Sequence, residues 1–162
     1  MAIHGAVRLD NYAGQKNASY LISFKATADL DNGMVFNAED LATGERELFT
    51  ATQPATATLT SKSIYLNASV ETTYNAGDTI VNYYLVTGEP GRGVLLKQGD
   101  IVTITDAVIT NATVVGQYVG PANASYQLSA VASAPSTKFV GKIIEKTTIY
   151  GQAATVIRVL SN

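Results

Sequence analysis

The chain has 162 residues, 17.1 kDa, with 11 Lys+Arg against 13 Asp+Glu, a formal net charge of −2. This length suits one domain with a real core, and 46% hydrophobic with 15% charged residues is not a disordered composition. The weak charge argues against nucleic-acid binding, the absence of Cys excludes disulfides and thiolate chemistry, and a single His argues against His-rich metal centres and a Ser-His-Asp triad.

Residues 1–28 show no sustained period and contain Gly5 and Gly14. They are expected to form an extended N-terminal arm, mobile alone and ordered on a partner. Its apolar anchors would be Ile3, Val7, Leu9, Tyr20, Leu21, Ile22 and Phe24. The alternative is that residues 19–25 are the first strand of the body. The start of the chain lacks a basic stretch followed by a continuous apolar run, so no cleavable leader is expected. Runs such as Val94-Leu95-Leu96 are far shorter than the roughly 20 residues that span a bilayer. A soluble protein without a membrane partner is expected.

Residues 29–162 read as a β-rich body. Asn32-Gly33 is a hairpin signal. Asn37–Ala42 suggests one helical turn capped by Asn37. Strands are expected at 64–66, 80–86, 101–105, 114–119, 139–144 and 154–159, where β-branched residues alternate. Turn signals lie between them at Asn75–Asp78, Gly88–Gly91, Gln98–Asp100, Gly120-Pro121 and Tyr150-Gly151. Ser129–Ala134 is Ala-rich but stops at Pro135. The Gly88–Gly93 stretch is the expected seam between segments 29–87 and 88–162. The fold class is all-β, a small sandwich or barrel body with an extended N-terminal arm.

No candidate for catalysis outweighs its structural explanation. Gly88-Glu89-Pro90-Gly91-Arg92-Gly93 runs into an apolar segment, not into a phosphate-binding helix. Asp29-Leu30-Asp31-Asn32-Gly33 resembles the start of a calcium loop, but Gly33 stands where an oxygen ligand is needed and Asp40 replaces the bidentate Glu. Glu45 and Glu47 share one face of an extended segment, as charges guarding a strand edge do. His4 has no second His or Cys to join it. Four N-glycosylation patterns, beginning at Asn17, Asn67, Asn111 and Asn123, are what chance gives in an Asn/Ala/Ser/Thr-rich chain. No catalytic, cofactor-binding or metal site is therefore assigned, no cofactor is expected, and the chain is read as not an enzyme. Nine Tyr against four Phe and no Trp is a real bias. Tyr65, Tyr74, Tyr83 and Tyr84 would suit an interface, or a platform for sugars.

Five phrases, in order, carry a resemblance: Leu30-Asp31-Asn32-Gly33-Met34-Val35; Gly44-Glu45-Arg46-Glu47-Leu48-Phe49-Thr50-Ala51; Arg92-Gly93; Leu96-Lys97-Gln98-Gly99-Asp100-Ile101-Val102; and Val140-Gly141-Lys142-Ile143-Ile144. Together they resemble the capsid decoration, or cement, proteins of tailed-bacteriophage heads. The resemblance implies a non-catalytic β body with a flexible arm. Its partner would be the major capsid protein on the outside of the mature head, after synthesis in the host cytoplasm. Self-association, a trimer among the options, stays open. The alternative is another virion β module: a tail, baseplate or carbohydrate-binding fibre domain.

Overall fold

The computed structural model describes residues 4–15, 17–71 and 79–162. Twelve strands run in chain order: β1 Val7–Asn11, β2 Leu21–Lys25, β3 Val35–Leu41, β4 Leu48–Thr52, β5 Tyr65–Asn67, β6 Pro90–Val94, β7 Ile101–Thr105, β8 Ile109–Thr110, β9 Tyr118–Pro121, β10 Leu128–Val131, β11 Val140–Ile149 and β12 Gln152–Ser161. Among the described residues, helix is limited to three single 3-10 turns and one α-turn, α1 Thr56–Leu59. The all-β reading is correct.

The strands form two units. A closed five-stranded barrel has the order β2-β4-β3-β5-β6, and a seven-stranded sheet has the order β1-β7-β12-β11-β9-β10-β8. Closing the barrel removes the edges that invite aggregation. It closes through β6, which pairs with β2 on one side and β5 on the other. The barrel thus ends at Val94, and the strands that follow belong to the sheet. The division falls at residues 95–100, not at the expected seam of Gly88–Gly93.

Two of the three glycines of that stretch serve packing. A Cβ on Gly91 would meet Leu85 at 2.5 Å and the Phe24 ring at 2.8 Å, and one on Gly93 would meet the Phe36 ring at 2.8 Å. Bare backbone here lets β6 lie against two aromatic rings that are fully buried. Composition that reads as a flexible linker is the condition for barrel closure.

Two main hydrophobic cores result, beside a small cluster of Ala6, Ile149 and Ala154. The larger joins barrel to sheet: Val35, Ile64, Leu66, Val94 and Leu96 pack with Val102, Ile104, Val108, Val119, Phe139, Ile143 and Ile157. The smaller fills the barrel with Phe24, Leu30, Phe36, Ala51 and Leu85. Phe24 and Phe36 meet in a tilted pair with ring centroids 4.1 Å apart.

The expected arm is corrected from residue 4 onward. β1 pairs antiparallel with β7, Val7 opposite Ile104 and Leu9 opposite Val102. β2 sits inside the barrel, as the alternative reading of residues 19–25 had it. Each segment is short, and each gains its partners from residues far along the chain. Other local readings change as well. The expected helical turn at Asn37–Ala42 is strand instead, β3 through Leu41, because Val35 and Phe36 are buried and the strand pairs on both sides. The Asn37 side chain still fastens a helix: its amide donates to Ser63 O and its carbonyl accepts from the Thr58 hydroxyl of α1. Ile80–Val86 is not a strand: Ile80–Asn82 is a turn, and Leu85 makes an isolated bridge to Leu30. Strand 114–119 begins only at Tyr118, while Ser129–Val131 lies in β10. The Asn75–Asp78 turn signal lies outside the described residues.

Candidate partner-binding surface

The anchors expected to face a partner are largely spent inside the molecule. Val7 is buried, and Leu9 and Leu21 pack against the larger core. Ile22 packs against the barrel core, and Phe24 is part of it. Tyr20 is half-buried, with the Lys97 ammonium 4.9 Å from its ring centroid. Ile3 lies outside the described residues. The six described anchors belong to the sheet and the barrel separately and form no single outward face.

The segment before β1 is tied down by polar contacts. The Asp31 carboxylate takes the His4 Nδ1 at 2.8 Å and the Gly5 N–H at 3.0 Å. The His4 ring stacks on Tyr84, centroids 4.7 Å apart. The Ala6 N–H donates to the buried Thr105 hydroxyl at 2.8 Å. His4 thus acts as a clasp between the start of the chain and the barrel. The residues of the calcium-like loop diverge. Asp29 accepts from the Thr87 N–H and hydroxyl, bonds that hold its carboxyl below the ordinary range, while Asp31 faces His4 and Asp40 is exposed on β3. Among the described residues no group of three His, Asp or Glu could hold a metal ion.

The described tyrosines of the expected cluster have separate partners. Tyr65 stacks over Phe36 at 5.9 Å, and Tyr84 covers His4. Burial pushes the Tyr83 hydroxyl up, the Glu71 charge adds to this, and a hydrogen bond with Ser69 opposes it. Tyr74 lies outside the described residues.

A surface feature that the strand reading of 114–119 concealed lies beside β11. Val114–Gln117 forms a turn, closed by Gln117 N–H to Val114 O at 3.1 Å. It is strapped to β11 by Gly116 N–H to Ile143 O and Ile143 N–H to Gln117 O, both 2.9 Å. Val114 and Val115 are each 54% exposed, and Ile144 on the adjoining strand is 42% exposed. Two β-branched residues before a glycine were the available signal, and they read equally well as a strand.

A polar cluster secures this turn from behind. Thr155 donates to Asp106 Oδ1 at 2.6 Å and Thr113 to Oδ2 at 3.1 Å, and Lys146 bonds Asp106, Thr113 and Thr155. Partial burial alone would raise the Asp106 carboxyl, but hydrogen bonds from Lys146 and Thr155, the Lys146 charge and Thr113 outweigh it and lower it. A lowered carboxyl stabilises the fold above its unfolded value, about 3.9. That contribution is lost as pH falls through the folded value. Asp106→Asn should therefore cost about 1 kcal/mol at neutral pH, a figure discounted for the partial exposure of the pair. The gap to the parent protein should begin to narrow near the unfolded value, about 3.9, and close as pH falls through the lower folded value. Urea melts across pH check this, and a gap that does not narrow in acid would refute the assignment.

Comparison with known proteins finds no matching family model, no matching curated protein and no matching solved structure.

Proposed function

We propose that the chain is a structural protein that decorates and stabilises the mature head of a tailed bacteriophage, seated on the outer surface of the major capsid protein. The reading starts from the five resembling phrases, which fall on turn and strand junctions of a β body: the turn before β3, the turn into β4, β6, the turn into β7, and β11. The observation that carries it structurally is the Val114–Val115 turn. An exposed aliphatic turn on a charge-poor chain suits contact with another protein. No helix among the described residues is long and apolar enough to cross a membrane.

Cementing in this reading is mass action. A protein that binds the expanded shell and not its precursor stabilises the expanded state, and copies bridging neighbouring subunits add multivalence. Attachment uses a preformed surface, because β1 and β2 already have partners within the chain.

The purified protein should co-sediment with expanded heads and not with unexpanded ones. The double variant Val114→Asp, Val115→Asp should lose at least about tenfold in head affinity, as loss of a contact centre does. Its melting temperature should stay near that of the parent, since both side chains face solvent. Full binding by this variant would place the contact elsewhere. Binding to glycans but not to heads would overturn the reading in favour of a fibre domain.

A further inference from the structure

The chain contains one Asn-Gly dipeptide, Asn32-Gly33, and the fold buries it in the turn that leads into β3. Asn-Gly is chemically labile. The glycine nitrogen attacks the asparagine Cγ, a C–N bond forms, and Nδ2 departs as ammonia. Water then opens the cyclic imide at either carbonyl, leaving aspartate or isoaspartate. The net change consumes one water and releases one ammonia, with no redox partner.

Every atom of that reaction is held in the native structure. Asn32 is 1% exposed. Its Nδ2 donates to Ser69 O and Glu71 Oε1, both at 3.0 Å, and its Oδ1 accepts from Ser69 N–H at 2.9 Å. The attacking nitrogen of Gly33 is occupied by its own hydrogen bond to Asn67 O at 2.8 Å. Attack therefore requires the turn to open. Either residue is costly to replace. Gly33 has φ +93°, and a Cβ there would meet Ile104 at 2.8 Å. Asn32 needs both an amide donor and a carbonyl acceptor to bond the carbonyl and the N–H of Ser69 together.

We propose that Asn32 is a deamidation site guarded by the native fold, so that each opening of the turn risks a modification that blocks its closing. The product carboxylate has no N–H for Ser69 O, and it faces a second acceptor, Glu71 Oε1. Two partners bonded in the native state become repelling neighbours in a buried site. Isoaspartate would further lengthen the backbone at this turn. The protein then carries an irreversible step that converts lost local structure into permanent loss of the native state.

The experiment compares intact protein with protein held in urea, both at mildly alkaline pH, by peptide mapping for amide-to-acid conversion. Conversion at Asn32 should be at least about tenfold slower in the native protein, because it follows the open fraction. Refolding yield of the urea-held sample should fall in step with conversion at this one peptide. Equal rates in the two samples, or full refolding of converted chains, would overturn the proposal. Asn32→Ser supplies a second reading that needs no parental stability. It cannot deamidate, so its own refolding yield should hold constant over the same incubation. A yield that decays at the parental rate would also overturn the proposal.

Discussion

Deleting residues 1–11 should lower the melting temperature by about 10 °C or more, if the remainder folds at all. The deletion strips β1 from the edge of the sheet, leaves the paired edge of β7 bare, and removes Val7 and Leu9 from the larger core. It removes the Ala6 N–H from the Thr105 hydroxyl, leaving a fully buried polar group short of a partner. It also removes Gly5, whose neighbours leave no space: a Cβ there would meet Val108 at 2.2 Å and the Asn32 carbonyl oxygen at 2.7 Å. Gly5→Ala is accordingly a milder version of the same experiment, and it should destabilise through overpacking by about 1–3 kcal/mol. Differential scanning calorimetry on both variants reads the effect. A free arm would make both variants melt like the parent, and that result would contradict the pairing of β1 with β7.

Phe24→Ala should cost about 3–5 kcal/mol, the usual range for removing a large buried ring. Phe24 is fully buried at the centre of the barrel, paired with Phe36 and lying under Gly91 of β6. Its loss leaves a cavity that a closed barrel cannot collapse, because five strands hold the wall in register. Urea denaturation measures the loss. Any folded fraction of this variant should bind heads as the parent does, since the ring touches no outside surface. A loss of head binding with unchanged stability would return Phe24 to the role of partner anchor.

Much of the second half of the chain is legible in its residues. The expected strands 101–105 and 154–159 lie wholly in β7 and β12, and 139–144 lies in β11 from Val140 onward. Tyr150-Gly151 joins the two longest strands as a two-residue turn with φ +51° and +76°. There, pattern and pairing agree, because β11 and β12 are neighbours in sequence and meet through that short turn. Composition likewise makes the chain charge-poor and free of thiol chemistry, whatever its fold.

The first 28 residues illustrate the opposite case. Val7-Arg8-Leu9-Asp10 does alternate, but four residues are too few to separate a strand from an irregular segment. What makes them a strand is β7, more than ninety positions away by their register, Val7 opposite Ile104. Leu21–Lys25 depends in the same way on Pro90–Val94, and the glycines of that partner look like a linker until the rings of Phe24 and Phe36 stand beside them. Val114 and Val115 have strand-forming side chains, yet they end exposed because Gly116 turns the chain back onto Ile143. Local pattern reports which residues prefer extended backbone and where the chain can turn. Which apolar side chains are buried depends on pairing between distant segments, and so the identity of the outward surface was decided only when the barrel closed and the sheet packed against it.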